Sequence, residues 1–230
     1  MTTVGADPTS NGADHRPRTL EIVVVAAIVI VGVVLRSATR SHLWLDEALS
    51  VNIARLPMGS IAAWLRHDGA PPLYYWMLHG WTSIVGDGDT AVRALSSVVS
   101  IAALPVAWAC GRRVGTVRTA WLTLVVLAAN PFAIRYATEA RMYSLEVLLV
   151  FAGILVVRRS VERPSVGRLL PVAGIGAALV WTHYWCISLV GATAVVLLAV
   201  AWRSRDAART AAIRTLVALG LGSATFVAWL

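Results

Sequence analysis

The chain has 230 residues, of which 58% are hydrophobic and only 14% are charged, and its net charge is +8. Soluble domains carry about a quarter charged residues, so this composition excludes an ordinary soluble fold and indicates a membrane protein. The positive charge does not indicate nucleic acid as a partner, because the arginines lie in short clusters between apolar runs and not on one solvated face.

The N-terminal segment divides into a polar tail and a first apolar run. Residues 1–18 are polar and lack apolar periodicity, which predicts a disordered cytoplasmic tail. The run at residues 22–35 follows two arginines, as in a signal peptide, but no small-residue cleavage site comes after it. We therefore predict a retained first membrane span.

The composition of the remaining chain, residues 19–230, predicts a single membrane module. Residues 36–90 have mixed composition and predict a long first external loop with short interfacial helices. Because a crossing needs about 20 apolar residues, fewer where the flanks snorkel, the later runs predict six more spans. They lie at residues 91–109, 120–134, 145–157, 169–182, 186–202 and 211–230. The predicted fold is therefore an all-α polytopic membrane protein of about seven transmembrane helices, which we expect to be truncated at its C-terminus.

The arginines predict the orientation, because cytoplasmic loops are enriched in positive charge. The basic turns at residues 112–118, 158–168 and 203–214 should face the cytoplasm together with the N-terminus. The opposite side then holds six of the twelve acids and four of the five histidines. They are Asp46, Glu47, Asp68, Asp87, Asp89, Glu139, His42, His67, His79 and His183.

The first external loop opens with the acid pair Asp46 and Glu47 in an apolar stretch. Buried carboxylates are costly unless they are paired or used in function. On a helix, adjacent side chains point about 100° apart, so only one of the two can face a given site. The alternative is a pair that complements the dipole at a helix N-terminus.

Further along the loop, a short interfacial helix is predicted at residues 60–67, followed by Asp68 and by Pro71-Pro72, which preset the start of another helix. The aromatic run after the prolines includes Tyr74 and Tyr75 and suits the headgroup level. An aromatic belt that only anchors the loop remains an alternative.

A third polar cluster lies between two short spans. Pro131 breaks the helix there, and irregular backbone at this depth is tolerated only inside protein or beside a wet cavity. Arg135 and Arg141 run against the positive-inside bias, which favours a bound anion such as phosphate. Ion pairing with Glu139 is the alternative. His183, at the outer end of the fifth predicted span, is either structural or part of a metal site, although no spacing here forms a metal motif.

Four segments, in this order and spacing, resemble the polytopic C-superfamily glycosyltransferases, nearest to the protein-mannosyltransferase and aminoarabinose-transferase-like branch. They are Trp44-Leu45-Asp46-Glu47-Ala48, Pro71-Pro72-Leu73-Tyr74-Tyr75, Glu139-Ala140-Arg141-Met142-Tyr143-Ser144 and Thr182-His183-Tyr184. The resemblance covers residues 22–230.

This resemblance implies an enzyme of the cell membrane that transfers a sugar, with inversion, from a polyprenyl-phosphate lipid to an acceptor on the extracytoplasmic face. The acceptor class (protein, glycolipid or polysaccharide), a divalent cation and the metal ligands stay open. The implied site residues are Asp46 and Glu47 for catalysis, with Asp46 as the base, Arg135, Arg141, Tyr143 and His183 for the donor phosphate, and Asp68, Tyr74 and Tyr75 in the loop and towards the acceptor. The chemistry agrees, since an attacking hydroxyl must lose a proton and a phosphate leaving group needs charge stabilisation but no general acid.

Two departures from the family pattern bear on this reading. Many relatives carry a polar residue before the paired prolines where this chain has Ala70, so a phosphate or metal contact from that position requires Asp68 or His67 instead. Relatives also continue through further spans, so an inactive or partial glycosyltransferase is one alternative. A transporter of a lipid-linked substrate is another, although we find neither an internal repeat nor charge inside the longer spans.

Overall fold

The protein is described by a computed structural model over residues 19–38 and 41–229, so the predicted tail at residues 1–18 lies outside the described residues. The described residues form helices joined by turns, which confirms the all-α class. The helices are α1 Thr19–Ser37, α2 Leu45–Ala54, α3 Met58–Asp68, α4 Leu73–Val85, α5 Asp89–Val114, α6 Val117–Ala129, α7 Pro131–Ala137, α8 Tyr143–Glu162, α9 Val166–Thr182, α10 Cys186–Arg203 and α11 Asp206–Ala224, followed by a 3₁₀ turn at Thr225–Ala228.

Each predicted span corresponds to a helix or to a bent helix pair. Within the described residues, α1, α5, α10 and α11 with its 3₁₀ extension are long and apolar enough to cross a membrane, and the α6–α7 pair makes a fifth candidate if it is one span. Helix α9 has only 17 residues, and α8 carries charged residues near both ends. The polytopic membrane class is thus confirmed, while the number seven stays a prediction.

The long external loop folds into three short helices, α2, α3 and α4. Helix α3 contains the predicted interfacial helix and ends at Gly69, whose positive φ of 80° is a conformation that glycine adopts without strain. Helix α4 begins directly after Pro72, as predicted, and buries Tyr74 and Leu78 against the start of α5. This segment is therefore packed against the N-terminal end of α5.

The α6–α7 pair is bent by 57° at Asn130 and Pro131. Pro131 occupies the first position of α7, where its missing N–H is not needed, and Asn130 caps the helix by accepting a 2.9 Å hydrogen bond from the amide of Ala133. The break leaves carbonyl groups at the end of α6 without helical partners.

Arg36, at the end of α1, supplies donors to those carbonyls. Its side chain is fully buried. Its guanidinium donates to the carbonyl of Leu127 at 2.6 Å and to that of Ala128 at 2.8 Å, and Nε donates to Ser100 Oγ of α5 at 3.0 Å. The hydrogen bonds of Arg36 therefore connect α1 with α5 and with the C-terminal end of α6.

Helices α9 and α11 approach closely at Gly222. A Cβ at this position would collide with the backbone oxygen of Ala173 and lie 2.6 Å from its carbonyl carbon. Small residues allow such close packing between membrane helices.

We expect Gly222→Ala to lower the free energy of unfolding by about 1–3 kcal/mol through overpacking. Thermal unfolding in detergent measures this, with Gly220→Ala as the matched control because a Cβ there meets nothing within 4 Å. Equal melting temperatures for the two variants would contradict the packing argument.

Candidate active site

The acid pair of the first loop lies in the first turn of α2, and the structure separates its two members. Glu47 is fully buried. Arg93 of α5 binds both of its carboxylate oxygens, with Nε to Oε1 at 2.7 Å and Nη2 to Oε2 at 2.5 Å. The amide of Ala140 donates to Oε1 at 2.8 Å and that of Trp44 to Oε2 at 3.2 Å. Glu47 thus connects α2, α5 and the turn between α7 and α8.

These contacts hold Glu47 in its ionised form. Burial opposes ionisation, but the hydrogen bonds from Arg93, Ala140 and Trp44 outweigh it, and the pKa of Glu47 lies below its ordinary value. Both oxygens of Glu47 therefore accept hydrogen bonds, and the side chain holds three segments together. The catalytic roles predicted for Asp46 and Glu47 stay predictions.

Asp46 is half-buried on a different face of α2. Its carboxylate makes no hydrogen bond and no ion pair with any residue that the structure describes, in contrast to that of Glu47. Ser50 Oγ donates to the carbonyl of Asp46 at 2.8 Å and accepts from Nη1 of Arg141 at 3.2 Å, so this part of α2 lies beside Arg141. A role of Asp46 as a base stays a prediction.

Arg141 lies in the turn between α7 and α8, next to the Ala140 amide that Glu47 holds. Its Nη1 donates to Ser50 Oγ at 3.2 Å, whereas its buried Nε has no hydrogen-bond partner among the described residues. Burial works against its charge, but the neighbouring Tyr143, Tyr75 and Asp46 raise the pKa of Arg141 above its ordinary value. The result is a permanently charged guanidinium with an N–H available for an anion.

Arg135 occupies a different environment. Its side chain is 70% exposed on α7, and its Nε pairs with Glu139 Oε1 at 3.0 Å. The ion pair with Glu139, the alternative that the sequence left open, is thus present. Glu139 itself is buried, and burial raises its pKa although Arg135 acts in the opposite direction. Of the two predicted phosphate ligands, only Arg141 is held in a protected turn with an unused donor.

Tyr143 and His183, the two other residues predicted to contact the phosphate of the sugar donor, lie beside Arg141. The Arg141 guanidinium carbon is 5.9 Å from the centre of the Tyr143 ring, and the Tyr143 ring packs edge-on against His183 at 6.2 Å between centroids. Burial, and then the charge of Arg141, lower the pKa of His183, which therefore favours the neutral imidazole. Tyr143 therefore packs between Arg141 and His183, and contact of these side chains with a donor phosphate stays a prediction.

The predicted loop residues are placed differently. Tyr74 and Tyr75 are only 2% and 3% exposed, which argues against direct contact with an acceptor and also against a role as an aromatic belt. Burial raises the pKa of both. The hydroxyl of Tyr74 lies 2.9 Å from Ser96 Oγ, which in turn donates to the carbonyl of Arg141 at 3.0 Å. Tyr74 therefore stabilises the turn that contains Arg141 through its contact with Ser96. Asp68, by contrast, is exposed at the end of α3.

Arg93 and Ser97 complete this support, and we did not predict either. Ser97 Oγ lies 2.7 Å from the carbonyl of Arg36 and 2.9 Å from that of Ala137, so α5 is linked to the ends of both α1 and α7. A charge in an apolar run is the signal that would have identified Arg93.

Regarding metals, no three side chains of His, Cys, Asp or Glu come together to form a site in the described part of the chain.

Residues 69–229 match the family described as dolichyl-phosphate-mannose-protein mannosyltransferase. The chain belongs to this family. The resemblance to polytopic glycosyltransferases is thereby confirmed, and the chain is a membrane glycosyltransferase of the mannosyltransferase type. The matched segment includes Arg141 and His183 but begins after Asp46. No curated protein and no solved structure gives a significant match.

Proposed function

We propose that this protein transfers mannose from a polyprenyl-phosphate donor to a hydroxyl group of an acceptor, with Asp46 as the base and Arg141 as the phosphate ligand. One observation carries the proposal. Asp46 has a carboxylate without a hydrogen-bond partner in the described chain, Arg141 has an N–H without one, and Ser50 Oγ links the two residues by accepting from Arg141 and donating to the carbonyl of Asp46. Family membership supports the sugar and the reaction class.

The proposed reaction is a single displacement. The acceptor hydroxyl gives its proton to Asp46 as its oxygen attacks the anomeric carbon, and the bond between that carbon and the phosphate oxygen breaks. Polyprenyl phosphate leaves with the electron pair of the broken bond, and Arg141 stabilises the added negative charge. Attack opposite the leaving group inverts the anomeric configuration. No acid is needed at the leaving group because a phosphate departs as a stable anion.

The acceptor and the location follow from less direct support. The description of the family names a protein acceptor, so we propose a serine- or threonine-containing polypeptide, with glycolipid and polysaccharide as the alternatives to test. The arginine-rich turns support an orientation with the N-terminus in the cytoplasm and the Asp46 side outside, and we propose the cell membrane as the location.

The direct test uses the purified chain in lipid vesicles with radiolabelled mannosyl-phosphoryl-polyprenol. Separate reactions contain a serine-rich peptide, a glycolipid or a polysaccharide. We expect labelled peptide and an equal amount of released polyprenyl phosphate. Label in another acceptor would change the acceptor class, whereas no release in any reaction would contradict the proposed function of this chain.

Arg141→Ala should weaken binding of the donor by about tenfold to a hundredfold, the range for loss of a hydrogen bond to a charged group. The reason is that the variant removes the guanidinium that lies beside Tyr143 and has an unused N–H. Equilibrium binding of radiolabelled polyprenyl phosphate measures the effect. Arg135→Ala is the matched control, because Arg135 is exposed and already paired with Glu139. A larger loss in Arg135→Ala would move the phosphate to α7.

A further inference from the structure

A cavity of about 440 Å³ opens between α5, the α6–α7 bend and α8. Its size falls in the range of small-molecule sites. The walls are mostly aliphatic and aromatic, and the polar residues Ser100, Asn130, Ser144 and Glu146 also line them. The mechanism above uses none of Glu146, Tyr136 or the cavity itself.

Glu146 is an unusual component of such a wall. Its side chain is 22% exposed, and its neighbours in the cavity include Val147 and Val150. Its Oε1 lies 3.2 Å from Nδ1 of His183, yet neither atom makes a hydrogen bond within the described chain, because the two groups are not aligned. A carboxyl group in apolar surroundings is costly unless it is used, and this one keeps acceptor sites free.

The aromatic side chains around Glu146 suit a sugar ring. Tyr136 and Tyr143 lie 4.4 Å apart between ring centroids, and both line the cavity. Aromatic rings offer apolar faces to the C–H surface of a pyranose, and a carboxylate accepts hydrogen bonds from its hydroxyl groups. An apolar lipid chain would use the aliphatic walls but would leave the carboxyl group without a partner.

The cavity begins beside the group to which we assign the donor phosphate. Tyr143 lies in the cavity wall and also packs near Arg141, with 5.9 Å between the guanidinium carbon and the ring centre. His183 is close to both Glu146 and Tyr143. A sugar attached to a phosphate at Arg141 would therefore reach the Tyr143 end of the cavity, and Glu146 lies one helical turn further along α8 in the same wall.

We infer that Glu146 is a specificity-determining residue that accepts hydrogen bonds from hydroxyl groups of the donor sugar, with Tyr136 and Tyr143 forming the platform beneath the ring. The inference rests on the proposed function, because it takes the donor to be a sugar phosphate held at Arg141. His183 lies beside Glu146, with 3.2 Å between Nδ1 and Oε1.

The test compares two ligands in the absence of an acceptor. Equilibrium binding of mannosyl-phosphoryl-polyprenol and of polyprenyl phosphate is measured for the wild-type protein, for Glu146→Gln and for Glu146→Met. Glu162→Met is the matched control, because Glu162 lies at the other end of α8 and pairs with Arg113 and Arg158 on the surface. We expect the wild type and the control to bind the mannosylated lipid about tenfold or more tightly than polyprenyl phosphate.

In Glu146→Met this preference should disappear, in Glu146→Gln it should be intermediate, and the affinity for polyprenyl phosphate should not change in either. A preference that survives Glu146→Met would overturn the inference, as would equal binding of the two lipids by the wild type. Loss of affinity for both lipids in Glu146→Met would show a structural or lipid-chain role and would also overturn it. Failure of the wild type to bind either lipid would instead contradict the proposed function.

Donors that lack single hydroxyl groups identify the contact. If Glu146 binds a given hydroxyl, the losses from deleting that hydroxyl and from Glu146→Gln should not add. Additive losses at every hydroxyl position would overturn direct recognition.

Discussion

Asp46→Asn should lower mannosyl transfer by about 10²–10⁴-fold, the usual contribution of a positioned general base. The amide has nearly the shape of the carboxylate but cannot take the proton of the attacking hydroxyl. Stability should not change, because the Asp46 carboxylate makes no hydrogen bond or ion pair within the described residues. The variant should also bind the donor lipid, since Arg141 is intact.

The measurement is release of polyprenyl phosphate from radiolabelled donor by membranes with matched amounts of each variant. Asp87→Asn is the control, because Asp87 is an acid of the same external loop that pairs with Arg55 on the surface. The control should transfer mannose at the wild-type rate. Unchanged turnover in Asp46→Asn would remove Asp46 as the base, and a large drop in its melting temperature would mean that the activity loss reports misfolding.

Local patterns predicted much of this fold. Apolar runs located the helices, the proline pair located the start of α4, and Pro131 located the bend between α6 and α7. These features depend on residues close together in the chain. The 100° rotation between adjacent helical residues also predicted that Asp46 and Glu47 would face different surroundings, and they do.

Contacts between distant segments could not be predicted in the same way. Glu47 and Arg93 are 46 positions apart, and Arg36 reaches carbonyl groups more than 90 positions away. Nothing in a periodic pattern specifies such partners. Arg93 and Glu146 did leave a signal, because each is a charge within a predicted span, and our prediction of no charge inside the longer spans is wrong for Arg93.

The second large effect is expected at Glu47. Glu47→Leu leaves the buried guanidinium of Arg93 without its carboxylate and the amide of Ala140 without an acceptor. Removal of one partner from a buried ion pair costs about 3–5 kcal/mol. Thermal unfolding in detergent should therefore show a marked fall in melting temperature for Glu47→Leu and none for Asp46→Asn. Equal melting temperatures would contradict the separation of a structural acid from a catalytic one.

A double variant separates the two consequences of losing Glu47. Replacing both members of a buried pair by apolar residues is often neutral, so Glu47→Leu with Arg93→Leu should regain much of the lost stability. The amide of Ala140 still lacks its acceptor, and Arg141 follows it directly. We therefore expect the double variant to melt near the wild-type temperature but to bind polyprenyl phosphate more weakly. If the double variant recovers both stability and donor affinity, the Glu47–Arg93 ion pair serves folding alone. If it recovers stability without affinity, Glu47 positions the phosphate ligand Arg141 relative to Asp46.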